Sequence, residues 1–441
     1  MNEPSNYFKK SQITPKMEAT EPSYYILSNN YTLSLDNGKI IENGIEVYPE
    51  TNSTLVPRVK SVDLIKLNEA KGSKIREISQ IILKEHYKCI AVLLGAGASV
   101  QHGEIGEKGK EAPTRETLWK KCEATVRAVQ GKIQDAGLDN ILKEGEEKRE
   151  EEGEEKGEEK DIEKFLSRLN LLIELGYNLT EEKHNIESII KDECSLPLGK
   201  GSPHEKLIHV LTARKASDPR AKIFTTNYDT LIEQAAEKTG CTLIDGFSFS
   251  FPRKFSGRYF DYDIVNRAHT RTKNEESFVQ RVMHLYKLHG SLNWTRTDTE
   301  IIQTSNEKNP LIVYPASNKF EAAFEQPYFE MMSRFQMALR QENLRLLVCG
   351  FGFADKHIQN VIIEALYQNP NFQLVINDYN KEGKIDIKKY EELGIITVTE
   401  NGGISILPNA VIIFCDFSTF VSNLPLNITY EPFNQDRQLV R

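Results

Sequence analysis

An apolar run that ends in two closely spaced glycines constrains the fold of this chain most. Residues 90–99 read IAVLLGAGAS. A continuous apolar run is typical of a strand that is buried on both faces of a parallel sheet. Gly95 and Gly97 then allow positive φ and a close approach of a ligand to the backbone. Such a turn can hold a diphosphate on its amides, or it can simply join a strand to a helix.

Two common nucleotide-binding motifs are missing from this turn. A Walker A loop needs GxxxxGK followed by Ser or Thr, and the nearest candidate is GEIGEKGKE at 103–111. There Glu104 takes a required glycine position and Glu111 takes the hydroxyl position. Val100 stands where a Rossmann GxGxxG pattern needs its third glycine. The sequence therefore argues against magnesium-dependent triphosphate chemistry and leaves other nucleotide ligands open.

Further apolar runs alternate with helical segments along the chain. The runs include 221–228, 282–294, 310–315, 344–349 and 372–378. Because strands and helices alternate in this way, we expect an α/β fold, a Rossmann-like doubly wound parallel sheet. Ligands of such sheets bind beyond the carboxyl ends of the strands, and every distinctive motif of this chain lies at such an end.

The remaining segments predict the organisation around this sheet. Residues 1–60 contain two Asn-Gly pairs within an alternating pattern and are predicted to form a β-rich N-terminal arm. The catalytic domain is predicted at 61–388, with a helical insertion at 117–213 and an acidic, low-complexity run at 143–160. Residues 389–441 are predicted to form a small C-terminal β appendage.

Composition and cysteine spacing suggest the setting. The formal net charge is -8, so we expect no membrane binding, and contact with nucleic acid only through a partner. No apolar stretch approaches the roughly 18 residues of a membrane-spanning helix, and the first residues lack a signal-peptide core. We therefore expect a cytoplasmic protein. The six cysteines form no CxxC pair, which predicts reduced thiols and no zinc ribbon.

Two polar motifs at strand ends carry candidate catalytic residues. TTNYDTLIE at 225–233 offers Thr226, Asn227 and Asp229, which could face a cleft or could cap the next helix. KLHGSLNW at 287–294 offers His289, a side chain that takes up a proton near neutral pH. A lone histidine at such a place can equally be structural.

Two further strand ends carry candidate binding residues. CGFGFADKHI at 349–358 is a second glycine turn, with Gly350, Gly352 and Phe353. VIND at 375–378 ends a strand in Asn377 and Asp378, which are suited to hydrogen bonds with a ribose. Taken singly, each is also compatible with an ordinary turn or cap.

The five motifs in this order resemble the sirtuin fold. More closely, they resemble the SIR2-like NAD+ hydrolase domains of bacterial antiviral defence, over roughly residues 84–380. The resemblance implies that NAD+ is the substrate and that no metal is needed. It implies catalytic roles for Asn227, His289 and Asp229. It also implies cofactor-binding roles, which fall on Gly95, Ala96, Gly97, Ala98, Ser99, Thr226, Gly350, Gly352, Phe353 and Asn377.

The departures from the family and its known assemblies shape the functional expectation. Protein deacylases of the sirtuin family carry a zinc module with two CxxC pairs, which this chain lacks. The resemblance therefore favours an NAD+ glycohydrolase that depletes NAD+ in abortive infection. A protein deacylase and a non-catalytic NAD or ADP-ribose sensor remain as alternatives. Similar stand-alone proteins assemble with a HerA-type ATPase, so we expect such a partner and a homo-oligomer.

Overall fold

The computed structural model describes most of the chain between residues 22 and 425. The described residues are 22–36, 39–47, 64–100, 102–104, 111–113, 115–135, 162–215, 218–266, 278–297, 300–304, 310–312, 326–399 and 403–425. The acidic run predicted at 143–160 lies outside them. No helix within these ranges is long and apolar enough to cross a membrane.

The described elements are eighteen strands, eleven α-helices and one 3-10 helix. The strands are β1 (Ser23–Leu27), β2 (Thr32–Asp36), β3 (Lys39–Glu42), β4 (Ile45–Val47), β5 (Cys89–Leu94), β6 (Lys222–Thr225), β7 (Thr242–Ile244), β8 (Arg253–Lys254), β9 (Val282–Lys287), β10 (Gly290–Ser291), β11 (Trp294–Arg296), β12 (Ile301–Gln303), β13 (Leu311–Ile312), β14 (Leu344–Cys349), β15 (Phe372–Asp378), β16 (Ile396–Val398), β17 (Ile404–Ile406) and β18 (Ala410–Phe414). The helices are α1 (Leu64–Leu83), α2 (Ala96–Ser99), α3 (Arg115–Asp135), α4 (Ile162–Glu174), α5 (Thr180–Cys194), α6 (Pro203–Thr212), α7 (Leu231–Thr239), α8 (Tyr328–Leu339), α9 (Lys356–Gln368), α10 (Ile387–Glu392) and α11 (Phe417–Asn423), with the 3-10 helix at Gly257–Asp261.

The main sheet has the strand order of a doubly wound fold. Its central strands lie in the order β18-β15-β14-β5-β6-β9 and run parallel. Among these six strands, the chain moves outward from β5 to β6 and β9, returns to β14 and moves outward the other way to β15 and β18. The short strand β7, which lies between β6 and β9 in the chain, pairs parallel outside β9. Numbered along the chain, the six strands have the 3-2-1-4-5-6 order of dinucleotide-binding folds. The predicted fold class is therefore confirmed.

The apolar runs form the centre of this sheet because helices cover it on both sides. Every residue of β14 and of β18 is buried. Right-handed crossovers place the helices of the two halves on opposite faces of such a sheet. The helices pack in two groups: α6 contacts α7 and also α11, which follows β18, whereas α8 contacts α9. In doubly wound folds, ligands bind at the point where the chain reverses its direction of winding. In this chain that point lies between β5 and β14, and we call it the central crevice.

The β-rich terminal parts are present. β1 to β4 and β18 belong to the main sheet, whereas β16 and β17 pair with each other as a separate two-stranded sheet. β1 pairs antiparallel with β18, with Ile26 opposite Ile413, and β2, β3 and β4 follow as a meander. The Asn43-Gly44 turn has positive φ at both residues (51° and 80°), as a tight hairpin requires. Pairing thus continues across the predicted domain boundaries at 60 and 388, which remain predictions.

The helical insertion has an apolar core of its own. Buried side chains of α3, α4 and α5, among them Val126, Leu166 and Ile190, form a second cluster. This cluster also includes Tyr228 and Leu292, which follow β6 and β9. The insertion therefore packs directly on the loops that carry two of the candidate site motifs.

Candidate functional site

The two glycine turns meet at the central crevice, backbone against backbone. The Gly95 amide donates to the Cys349 carbonyl (2.9 Å) and the Gly97 amide donates to the Gly350 carbonyl (3.0 Å). A Cβ on Gly95 would lie 2.5 Å from the Gly350 oxygen, and a Cβ on Gly350 would lie 2.2 Å from the Ala98 nitrogen. These glycines are therefore required by the packing of the two turns, whatever ligand binds there.

The other residues of these turns differ in how much they are constrained. Ala96 and Gly97 are exposed beside the crevice, whereas Ala98 is buried. Gly352 has open space around it, so its lack of a side chain has no steric cause within the chain. Phe353 adopts a φ of 62° and buries its ring edge-on to Phe351 at 5.3 Å. The Ala98 amide already donates to the Gly95 carbonyl. The phosphate contacts predicted for this turn therefore stay predictions.

Asn227, Ser99 and Asp229 form a hydrogen-bonded chain, which we call the amide cluster. The Asn227 Nδ2 donates to the Gly95 carbonyl (2.9 Å) and to the Ser99 Oγ (2.8 Å). Ser99 in turn donates to the Asp229 Oδ2 at 2.6 Å. Since a carbonyl only accepts, the contact with Gly95 assigns the nitrogen side of the Asn227 amide. The structure thus brings three sequence-predicted residues together at the carboxyl ends of β5 and β6.

The capping alternative is also present at Asp229. Its Oδ1 accepts from the Leu231 amide at 3.0 Å, at the start of α7. Asp229 is buried, and both of its oxygens accept bonds within the protein. In the structure Asp229 holds Ser99 in place, and the catalytic role that the resemblance implies for it stays a prediction.

A buried lysine that the sequence argument did not select supports the same turn. The Lys287 ammonium donates to the Tyr228 and Asp229 carbonyls and pairs with Glu233 at 3.0 Å. The Lys287 side chain is 2% exposed. Burial raises the pKa of Glu233, and the charge of Lys287 opposes that increase. The sequence feature that could have identified Lys287 is its position in KLHGS, since a lysine at the end of a buried strand needs an internal partner.

His289 and Asp355 form a buried pair, which we call the imidazole pair. The His289 Nε2 lies 3.0 Å from the Asp355 Oδ2, and the two side chains are 5% and 7% exposed. Burial would raise the pKa of Asp355. The bond and charge of His289, together with two backbone amides of α9, outweigh burial and lower that pKa. Asp355 belongs to the predicted second glycine motif, but its pairing with His289 was not predicted.

Asn227 and His289 follow neighbouring strands at the same level. Thr225 of β6 is in register with Lys287 of β9, and the Leu288 amide donates to the Thr225 carbonyl at 2.8 Å. Each candidate residue thus lies two positions beyond a registered pair. The structure therefore places both at the carboxyl edge of the sheet, on strands about 4.8 Å apart.

The remaining predicted residues lie along the same edge. The Thr226 amide donates to the Leu94 carbonyl at 3.0 Å and so extends the pairing of β6 with β5. Asn377 is the second-last residue of β15, which lies two strands from β5. It is buried, and its Nδ2 donates to the Cys415 carbonyl at 2.6 Å. Its predicted contact with a ribose remains a prediction.

Two further buried histidines lie behind the amide cluster. The His102 Nδ1 is 2.8 Å from the Ser99 carbonyl, and the His204 Nδ1 is 3.0 Å from the Ser202 hydroxyl. Burial lowers the pKa of His204 to about 4; Asp229 opposes that decrease and His102 adds to it. Neither histidine was selected from the sequence, because nothing near them in the chain connects them to TTNYD.

The site contains hydrogen-bonding groups of a kind that suits an organic ligand. Among the described residues, no three His, Cys, Asp or Glu side chains come together as a candidate metal site. The cluster and the pair instead supply an amide, a hydroxyl, an imidazole and two carboxylates at one edge of the sheet.

The comparison with known families found a match. A family model described as a SIR2-like domain matches residues 221–395. The match includes both Asn227 and His289, and it ends before the C-terminal strands. It covers less than half of the chain and leaves out the first glycine turn. This match supports the SIR2-like family, whose domains use NAD+. No curated protein matches the chain.

Proposed function

We propose that this protein hydrolyses NAD+ at the bond between nicotinamide and ribose. The observation that carries the proposal is the amide cluster at the carboxyl ends of β5 and β6, with His289 on the loop that follows the neighbouring strand β9. The bond that breaks leaves a neutral nicotinamide. Water supplies the new C–O bond, and the products are nicotinamide, ADP-ribose and one proton.

Asn227 has one atom suited to the reacting sugar. Both hydrogens of its amide nitrogen are engaged, by Gly95 and by Ser99. Its carbonyl oxygen is the atom that can accept a hydrogen bond from a ribose hydroxyl or from the attacking water. A fixed acceptor orients that water and stabilises the positive charge that develops on the sugar. Ser99 and Asp229 keep the amide from rotating.

His289 supplies the basic group. As nicotinamide leaves, charge develops on the ribose, and the attacking water must lose a proton. An imidazole within reach of a ribose hydroxyl or of the water can accept that proton. Nicotinamide is already a good leaving group because its ring nitrogen is cationic in NAD+. For that reason the mechanism needs no strong acid.

Control of the activity is part of the proposal. Free hydrolysis of NAD+ would harm the host cell, so we propose that turnover is gated by assembly. The proposed assembly is a homo-oligomer with a HerA-type ATPase, and the biological setting is abortive infection. The insertion contacts Tyr228 and Leu292, which supports a route by which assembly at the insertion could reach the site loops.

The test is release of nicotinamide from NAD+ by the full chain, alone and with the ATPase. We expect nicotinamide and ADP-ribose in equal amounts from the wild type, and strong losses in Asn227→Ala and in His289→Ala. A wild type that is inactive under all of these conditions, or variants that keep the full rate, would contradict the proposal. Formation of O-acyl-ADP-ribose from an acylated peptide would instead identify a deacylase, and binding of intact NAD+ would identify a sensor.

A further inference from the structure

We infer that Asp355 is a positioning residue that sets the tautomer of His289, so that the Nδ1 atom of the ring accepts the proton. This inference rests on the proposed function for its catalytic consequence. Its structural part stands on the imidazole pair alone, in which the His289 Nε2 faces the Asp355 Oδ2 at 3.0 Å.

The two partners come from strands that are not neighbours. His289 follows β9, and Asp355 follows β14, while β5 and β6 lie between these strands. Three strand spacings correspond to about 14 Å, so the loop after β14 must cross the carboxyl edge above β5 and β6 to reach His289. The imidazole pair therefore connects the loop after β9 with the loop after β14, across the carboxyl edge on which the amide cluster lies.

The second oxygen of Asp355 fixes the carboxylate in place. Its Oδ1 accepts from the His357 amide at 2.9 Å and from the Ile358 amide at 3.2 Å, in the first turn of α9. A carboxylate held by a helix start cannot turn away from the imidazole. Burial, followed by the charge of Asp355, raises the pKa of the Tyr328 phenol. The ring of His289 thus meets a rigid acceptor.

The chemistry of that acceptor decides where the ring proton lies. An ionised carboxylate can only accept, so a neutral imidazole facing it must carry its hydrogen on Nε2. The lone pair is then on Nδ1. This is the same logic by which a carboxylate orients a histidine base in hydrolytic triads. Asp355 does not touch the substrate in this assignment, and it acts only through His289.

Asp355→Asn tests the assignment because asparagine also caps helices well. The new amide can donate to Nε2, which allows the ring to hold its hydrogen on Nδ1. In the full chain with 15N-labelled histidine, we expect His289 to show the Nε2–H pattern in the wild type and a shift to Nδ1–H in the variant. His289→Gln identifies the resonance. We expect kcat to fall about 100-fold, with KM changed less than about twofold.

Asp416→Asn is the matched control. Asp416 caps α11 in the same way, accepting from the Thr419 amide at 2.9 Å and from the Thr419 hydroxyl at 2.6 Å. We expect it to leave both kcat and the His289 spectrum unchanged.

The outcomes separate this inference from the proposed function. An Nδ1–H ring in the wild type, or an unchanged ring in Asp355→Asn, would overturn the inference. A rise in kcat in Asp355→Asn would also overturn it, because the pair would then be a restraint on His289. The spectrum needs no turnover, so a chain inactive on NAD+ contradicts the proposed function while the tautomer still decides the inference.

Discussion

The amide cluster and the imidazole pair lie at the same edge of the sheet, but they are assembled differently. The cluster joins the ends of β5 and β6, which are neighbouring strands. The pair joins the loops after β9 and β14, which are separated by two strands. The cluster is a relay of short side chains that ends in a carboxylate, whereas the pair sets a carboxylate directly against a ring that can take up a proton.

This difference indicates how the amide cluster and the imidazole pair should each respond to substitution. The cluster depends on close backbone packing, because its carbonyl acceptor, Gly95, belongs to the turn pressed against Gly350. The pair depends on the placement of one loop and on ionisation. Substitutions that alter packing should therefore damage the cluster, and substitutions that alter charge should damage the pair.

The largest effect is expected from removal of the Asn227 amide. Asn227→Ala should lower the rate of NAD+ hydrolysis about 100- to 1,000-fold, since one preorganised polar group at a reacting centre contributes that much. The measurement is kcat by nicotinamide release. Asn369→Ala is the control, because Asn369 also bridges two carbonyls, those of Leu339 and Gln341, but away from the site. Equal losses in both variants would mean that the effect is structural.

Removal of the buried ammonium of Lys287 should damage both the amide cluster and the imidazole pair. Lys287 holds the carbonyls of Tyr228 and Asp229 and lies two residues before His289. Lys287→Met leaves the partly buried Glu233, whose side chain is 22% exposed, without its cation. This should lower the free energy of unfolding by at most about 3–5 kcal/mol, since water reaches part of that carboxylate. Glu233 already has a raised pKa, and a native carboxyl with a raised pKa costs stability as the pH rises above its unfolded value. The loss should therefore be larger at pH 8 than at pH 5 in urea unfolding.

The double variant Lys287→Met/Glu233→Gln is the check on this charge argument. It should recover more than half of the lost stability at pH 8, because no unpaired charge remains. A double variant as unstable as Lys287→Met would show that the methionine fails for reasons of packing.

The contact between the glycine turns should tolerate no added atom at Gly350. Its φ is 64°, and a Cβ would lie 2.2 Å from the Ala98 nitrogen. Gly350→Ala should lower the free energy of unfolding by about 3 kcal/mol, from left-handed backbone strain and overpacking. Gly352→Ala should cost less than about 1 kcal/mol, since a Cβ there meets nothing. Thermal unfolding of the two variants measures the difference, and similar melting temperatures would contradict the packing argument.

The smallest effect that we expect is a loss of stability at low pH, caused by His204, the buried histidine behind the amide cluster. Burial lowers the pKa of His204 from 6.5 to about 4, so the unfolded chain binds a proton that the native site refuses. The stability that depends on a neutral His204 is fully present above pH 6.5 and is lost as the pH falls towards 4. At pH 5 this loss should amount to about 2 kcal/mol of the free energy of unfolding. His204→Asn should reduce the loss of stability between pH 7 and pH 5, whereas His86→Asn, at an exposed position, should not. An unchanged slope in His204→Asn would contradict this account.

Much of the site could be predicted because its residues directly follow buried strands. The apolar runs before Gly95, Asn227, His289 and Gly350 all form parallel strands, and parallel strands end at one edge. Lys287, Asp355 and His204 were missed because their importance depends on partners. A buried lysine, a helix cap and a core histidine look ordinary in the chain until the groups they face are known.

The pattern of apolar runs and polar ends was enough to determine that the chain forms a doubly wound sheet, and it predicts the edge at which we expect ligands to bind. Hydrophobic periodicity and the polar residues at strand ends are local properties of the chain, so they can be recognised from the sequence alone. The tertiary structure alone decided which groups meet across the edge: Gly350 against Gly97, Ser99 between Asn227 and Asp229, and Asp355 on His289. These contacts depend on strand order and loop path, and sequence spacing does not specify either of them.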